Sequence, residues 1–216
     1  LSFIQKKGAF SARLIQHHQK QMTLLADWEI RKLSEEKEMI TPFVDHIVRE
    51  TEGRKVLSYG LGSYGYDIRL SPKECLIFGG VDSGDCDPKQ FNPSVLKPAE
   101  LHENENGSYF LLPPYGYCLG VAKERLKVPE DVTIVAVGKS TYARSGIMVA
   151  ITPAEAMWQG YLTLEISNAT GLWNRIYADE GICQLMFYRG KECETNYAKR
   201  RGKYQNQPEN VVFSKV

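Results

Sequence analysis

Residues 138–168 read GKSTYARSGIMVAITPAEAMWQGYLTLEISN, and the end of this stretch decides the fold class. From 161 to 168, Tyr161, Thr163, Glu165 and Ser167 alternate with Leu162, Leu164 and Ile166. This is the period of a strand with one packed face and one polar face. The polar face carries a lone carboxylate, Glu165, open to two readings: a surface glutamate on an exposed strand, or a group lining a pocket. In a pocket, a neighbouring arginine would hold it ionised, whereas burial would raise its pKa. Upstream, Gly138-Lys139-Ser140-Thr141-Tyr142-Ala143-Arg144 gathers two cations and two hydroxyls just after the apolar run 133–137. Such a segment is either an ordinary polar turn or a corner where hydroxyls and amides orient phosphate oxygens while Lys and Arg neutralise them.

Outward from this stretch the same texture continues. Short runs rich in Val, Ile, Tyr, Phe and Thr, punctuated by Gly, Pro, Asn and Asp, predict strands at 66–70, 109–112, 117–122, 133–137, 147–151, 161–168 and 182–188. No βα alternation accompanies them, so a mainly β fold is expected, a barrel or distorted jelly roll with one N-terminal helix packed against it. That helix is expected over 25–33, where Leu25, Trp28, Ile30 and Leu33 approximate a helical stripe, Asp27 and Glu29 favour the N-terminal end of the dipole, and Pro42 marks the end. Residues 82–98, heavy in Asp, Pro and Asn, are expected to form the longest loop. Residues 1–21 are basic, free of acidic side chains, and expected to be an N-terminal extension or an expression remnant; 22–195 form the β domain and 196–216 a C-terminal tail.

Composition excludes several classes of function. With 216 residues, 43% hydrophobic and 25% charged, the chain can bury a substantial core, and a net charge of +1 lacks the basic footprint of a nucleic-acid binder. Cys75, Cys86, Cys118, Cys183 and Cys193 are odd in number and contain no CxxC pair, which favours a reducing, cytoplasmic setting over a disulfide framework. No apolar run is long enough to span a membrane, and none marks a secretory signal. The four histidines, His17, His18, His46 and His102, lie in no HxE or HExxH setting, so no zinc-activated water is expected, and GxSxG and P-loop patterns are missing. Catalysis must then rest on carboxylate, Arg, Lys, hydroxyl and backbone groups.

Taken together, 138–144, 158–168, 180–184 and 202–207 resemble successive motifs of the dCTP deaminase family, within the dUTPase-like superfamily. Ser63-Tyr64-Gly65-Tyr66-Asp67-Ile68-Arg69-Leu70 is similar to the family's first motif, LKVPEDV at 126–132 to the strand before its cation-rich corner, and 22–30 to its opening. The resemblance runs in order over about residues 22–207. It implies a hydrolase that replaces the 4-amino group of dCTP with oxygen, giving dUTP and ammonia for pyrimidine deoxynucleotide metabolism. It also implies a homotrimer with active sites at subunit interfaces, a C-terminal segment closing over the triphosphate, and magnesium bound with the nucleotide, without zinc. Some members continue to dUMP and pyrophosphate.

Residue by residue, the resemblance makes Glu165 the proton-relaying carboxylate while water attacks C4, with Ser140 and Arg144 orienting water and ring. Lys139 and Thr141, with Tyr142 and Ala143 of the same motif, fall in the triphosphate-binding corner, and the backbone at Thr163 and Leu164 reads the pyrimidine edge. Gln184 is a pocket position; Tyr197, Lys203 and Gln207 contact phosphate from the closing tail. This chain departs from the common pattern at Lys139 and Thr141, where many members carry Arg-Ser-Ser, and at 152–158, where Glu155 stands near the place of an aspartate. The second departure counts against pyrophosphate release. The alternatives are a bifunctional deaminase and dUTPase, and a catalytically silent nucleotide-binding regulator; dUTP or dTTP are further possible ligands.

Overall fold

The computed structural model describes residues 22–79 and 85–216, so the expected extension 1–21 lies outside it. The chain opens with β1 (Thr23–Leu24), α1 (Asp27–Lys37) and β2 (Ile40–Thr41), then the hairpin β3 (Ile47–Thr51) and β4 (Arg54–Leu61), and the long β5 (Tyr66–Phe78). A 3-10 turn at Pro93–Val95 leads to β6 (Leu96–Pro98), β7 (Leu101–Asn104), β8 (Gly107–Leu112), β9 (Tyr117–Lys127) and β10 (Val132–Gly138). There follow α2 (Ser140–Arg144), β11 (Ile147–Ala150), β12 (Gln159–Asn168), β13 (Asn174–Tyr177) and β14 (Gly181–Arg189).

The mainly β expectation stands. One curled antiparallel sheet runs β1-β14-β5-β9-β12-β11, with β10 on β14, and a small sheet, β13-β8-β7, flanks it. β5 makes the curl possible, because its first residues pair with β14 and its last with β9, across a register shift between Leu70 and Cys75. Such irregularity bends a strand and lets one element serve two layers. Tyr66, Ile68, Leu70, Leu126, Ile134, Leu164, Ile166, Leu185 and Phe187 fill the space enclosed, joined by Leu25 and Ile30.

Several expectations need correction. The hairpin β3–β4 is not among the expected strands, although Leu57, Tyr59 and Leu61 alternate with Ser58 and Gly60; Arg49, Glu50, Arg54 and Lys55 flank its turn, and Glu52-Gly53 is not one of the usual Asn-Gly or Asp-Gly pairs, yet both turn residues have positive φ, +52° and +74°, as a type I′ hairpin requires. The corner expected as a turn is the short helix α2. α1 stops at Lys37, ahead of Pro42, with Glu38 in the left-handed conformation at φ 57°. Trp28 does not join the packed stripe and is 61% exposed. The described part of the expected 82–98 loop includes the 3-10 turn and β6, whose Leu96 pairs with Phe78.

Candidate active site

Glu165 sits near the centre of β12, opposite Leu119 of β9 and Ala150 of β11. Paired residues share a face, so Glu165 projects with Leu119 and Thr163, while Leu164 and Ile166 point into the core and are wholly buried. The alternation is preserved although a bulge separates Tyr161 from Thr163. Of the two readings, burial prevails. Glu165 Oε2 is buried without a hydrogen-bond partner among the described residues, and loss of hydration pushes the carboxyl pKa up to about 7. A group with that pKa is shared between acid and base forms near neutrality, which suits proton transfer in both directions.

The carboxylate opens into a cleft of about 990 Å³, which also takes in Thr163, Glu155, Tyr197, Lys203 and Gln207. The expected tail forms one wall. It is laid down by specific contacts: Trp158 Nε1 donates to the Tyr204 carbonyl at 2.7 Å, Tyr161 N–H to the Gln207 carbonyl at 3.0 Å, and Tyr204 N–H to the Tyr197 hydroxyl at 2.9 Å. Gly160, at φ +139°, allows the close approach, since a Cβ there would lie 2.5 Å from the Gln207 nitrogen. Arg200 pairs with Glu155 and stacks on the Tyr197 ring. The cations Arg200, Arg201 and Lys203 thus border the cleft.

Residues 209–216 continue across the same face. Val212 N–H donates to Thr163 Oγ1 at 3.2 Å, Val211 is buried, Phe213 stacks on Phe91 with centroids 5.6 Å apart, and Lys203 Nζ donates to the Lys215 carbonyl at 2.8 Å. Thr163 therefore spends its hydroxyl on the tail.

The other expected residues lie elsewhere on the chain. Lys139 Nζ contacts Asp67 Oδ2 at 2.5 Å and Ser58 Oγ at 3.0 Å, and both charged side chains are 10% exposed. Gln184 of β14 pairs in register with Asp67 and Val137, close to this ion pair. Tyr142 is buried and its hydroxyl accepts from the Tyr177 N–H at 2.8 Å, so its side chain anchors α2 instead of facing outward. Ser140, Thr141, Ala143 and Arg144 are exposed. None of the residues 139–144, nor Gln184, lines the Glu165 cleft. The chain thus divides the expected residues into two groups.

Sequence reasoning missed several residues. Asp67, the partner of Lys139, lies in the quoted segment 63–70 but carried no assigned role. Phe78, Phe91 and Tyr117 line the cleft, and their spacing along the chain contains no signal for their assembly. Among the described residues, no group of three or more His, Cys, Asp or Glu side chains could hold a metal ion, and no helix is long and apolar enough to cross a membrane.

Comparison with known proteins agrees with this architecture. A family model described as dCTP deaminase-like matches residues 24–190. Proteins named dCTP deaminase from Francisella tularensis subsp. novicida and Francisella philomiragia are each 43% identical over 187 residues, covering 86% of this chain and 96% of theirs. The crystal structure of 2′-deoxycytidine 5′-triphosphate deaminase from Agrobacterium tumefaciens superposes with a TM-score of 0.57 at 19% identity, over 78% of this chain and 48% of that one, a likeness of fold. With the family model matched across the β sheet and relatives this similar over nearly their whole length, the chain belongs to the dCTP deaminase-like family.

Proposed function

We propose that this protein is a hydrolase that deaminates dCTP, adding water to cytosine C4 and releasing ammonia to leave dUTP. The observation that carries the reading is Glu165: a carboxylate whose Oε2 is buried without a hydrogen-bond partner among the described residues, in a cleft bordered by the cations of the tail. The ionised form takes a proton from the attacking water; the protonated form returns it to the departing nitrogen. The tail cations suit a triphosphate, and a tail lying over the site keeps bulk water from the reaction.

The division of the expected residues supports a shared site. Arg144 and Ser140 are exposed on α2 but absent from the Glu165 cleft of the same chain, so a second copy supplies them, in keeping with a homotrimer whose sites lie between subunits. Lys139, released from Asp67, and Thr141 then reach the phosphates from that copy, while the tail brings Lys203, Tyr197 and Gln207. The cationic character of the phosphate side fits the nucleotide, not a resident metal; magnesium enters with the triphosphate, held by its oxygens and water. Glu155 is engaged by Arg200, so it is not free to position a second water, and the reaction stops at dUTP.

The test is to incubate the purified protein with magnesium and, separately, dCTP or dUTP, and to quantify nucleotides, ammonia and pyrophosphate. Conversion of dCTP to dUTP with stoichiometric ammonia, and persistence of dUTP, is the expected result. dUMP and pyrophosphate would show a bifunctional enzyme; binding without product would show a regulator.

A further inference from the structure

Beside Glu165 lies a ladder of four aromatic rings drawn from distant parts of the chain. Tyr117 at the start of β9 meets Phe78 at the end of β5 edge to face, centroids 5.4 Å apart. Phe78 meets Phe91 of the following loop at 6.3 Å, and Phe91 stacks on Phe213 of the tail at 5.6 Å. Register fixes how this ladder relates to the carboxylate. Tyr117 pairs with Ser167 and Leu119 with Glu165, so Tyr117 and Glu165 are diagonal neighbours on one face, about 7 Å apart at the backbone and within reach of an aromatic side chain. Leu119 itself belongs to a small hydrophobic cluster with Leu76 and Val211, against which Phe78 and Phe213 pack. Everything apolar on the β9 side of Glu165 is therefore tied to the C-terminal segment.

We propose that Tyr117 is a positioning residue for Glu165: its ring, backed by Phe78, Phe91 and Phe213, closes one flank of the carboxylate to water, and docking of the tail completes that screen. This rests on the role given to Glu165 above and goes further, because it makes the proton-transfer group depend on the tail.

The charged and titratable surroundings leave room for such control. From β9 only Tyr117 faces the carboxylate on the cleft; β11 offers none; the loop 151–158 offers Glu155; and the tail offers Tyr197, Arg200, Arg201, Lys203 and Tyr204. Arg200 is neutralised by Glu155, and Lys203 is held by the Lys215 carbonyl. Tyr117 is 36% exposed, with its outer edge open and its inner edge towards the cleft, and its phenol is raised by partial burial first and by the charge of Glu165 second.

The decisive experiment is a pH titration of the glutamate side-chain carboxyls by carbon-13 NMR in the full-length protein, with Glu165 assigned by its loss in Glu165→Gln. Wild type, Tyr117→Phe, Tyr117→Ala and Phe213→Ala are compared. The expected midpoint for Glu165 is near 7 in wild type and Tyr117→Phe, and lower by roughly one unit in the two alanine variants, where water regains access. Unchanged midpoints in both alanine variants would overturn the proposal, as would a fall in Tyr117→Phe equal to that in Tyr117→Ala, which would assign the effect to the hydroxyl. Phe213→Ala sits in the tail, outside the main core, so it keeps the test open if Tyr117→Ala fails to fold. The titration needs no turnover, so an inactive protein with the expected midpoints would count against the deaminase assignment alone.

Discussion

The Glu165 cleft and the Lys139 corner both place a charge inside the β framework, but they stabilise it in opposite ways. Lys139 is matched: Asp67 takes its charge, Ser58 accepts a hydrogen bond, and both ionic groups are almost closed to solvent. Glu165 is unmatched among the described residues, its Oε2 without a partner and its acidity suppressed by dehydration. A matched, nearly enclosed pair holds its two segments together through the contact itself. An unmatched carboxylate sits near its titration point and destabilises the fold whenever it ionises. The contrast teaches that one framework can carry both a compensated charge and an uncompensated one, and it is the uncompensated one that the proposed reaction uses.

The largest effect that would break this contrast is on turnover. Glu165→Gln should lower kcat for dCTP deamination by about 10²- to 10⁴-fold, with nucleotide binding retained by calorimetry. Arg144→Ala should be similarly impaired while its stability stays within about 0.5 kcal/mol of wild type, since the residue is exposed. Mixing the two inactive variants under conditions that exchange subunits should restore activity, because some sites would then combine Glu165 from one copy with Arg144 from another. Failure to restore it would place both residues in one chain's site.

Next in size is the matched pair. Lys139→Ala leaves Asp67 buried and uncompensated, and denaturant unfolding near neutral pH should show a loss of about 3 kcal/mol. Asp67 and Lys139 replaced together should recover part of that loss; equal losses in single and double variants would remove the argument that the pair is balanced.

Smaller, and opposite in sign, is the stability effect at Glu165. Its folded pKa of about 7 lies above the ordinary 4.5, so the folded state binds more protons than the unfolded state between those values. Stability must then fall as pH rises from about 4.5 to 7 and stay lowered above it. Glu165→Gln removes the ionisable group, so it should be more stable than wild type at pH 8 by on the order of 1–3 kcal/mol, with the difference shrinking towards pH 5. Thermal unfolding across that range checks it. Smallest is Trp158→Phe, which deletes the bond to the Tyr204 carbonyl and should cost about 1 kcal/mol, with KM for dCTP rising more than kcat falls as the tail loosens.

The sequence by itself determined what is local and periodic. Alternation over 161–168 put Glu165 on the face opposite Leu164 and Ile166, the scattered β-rich runs gave the fold class, and the order of motifs from 22 to 207 gave the family. The strands β3 and β4 are harder to read, because Arg49, Glu50, Arg54 and Lys55 crowd their turn and mask the alternation of Leu57, Tyr59 and Leu61, and pairing with each other and with β5 establishes them. Tertiary structure alone decided the dryness of Glu165, the separation of Lys139 and Arg144 from its cleft, and the joining of Tyr117, Phe78, Phe91 and Phe213. Those depend on which distant strands and tail residues come together. Periodicity along a chain states which way a side chain points, but the water it keeps and the charges it meets are set by neighbours from elsewhere in the sequence.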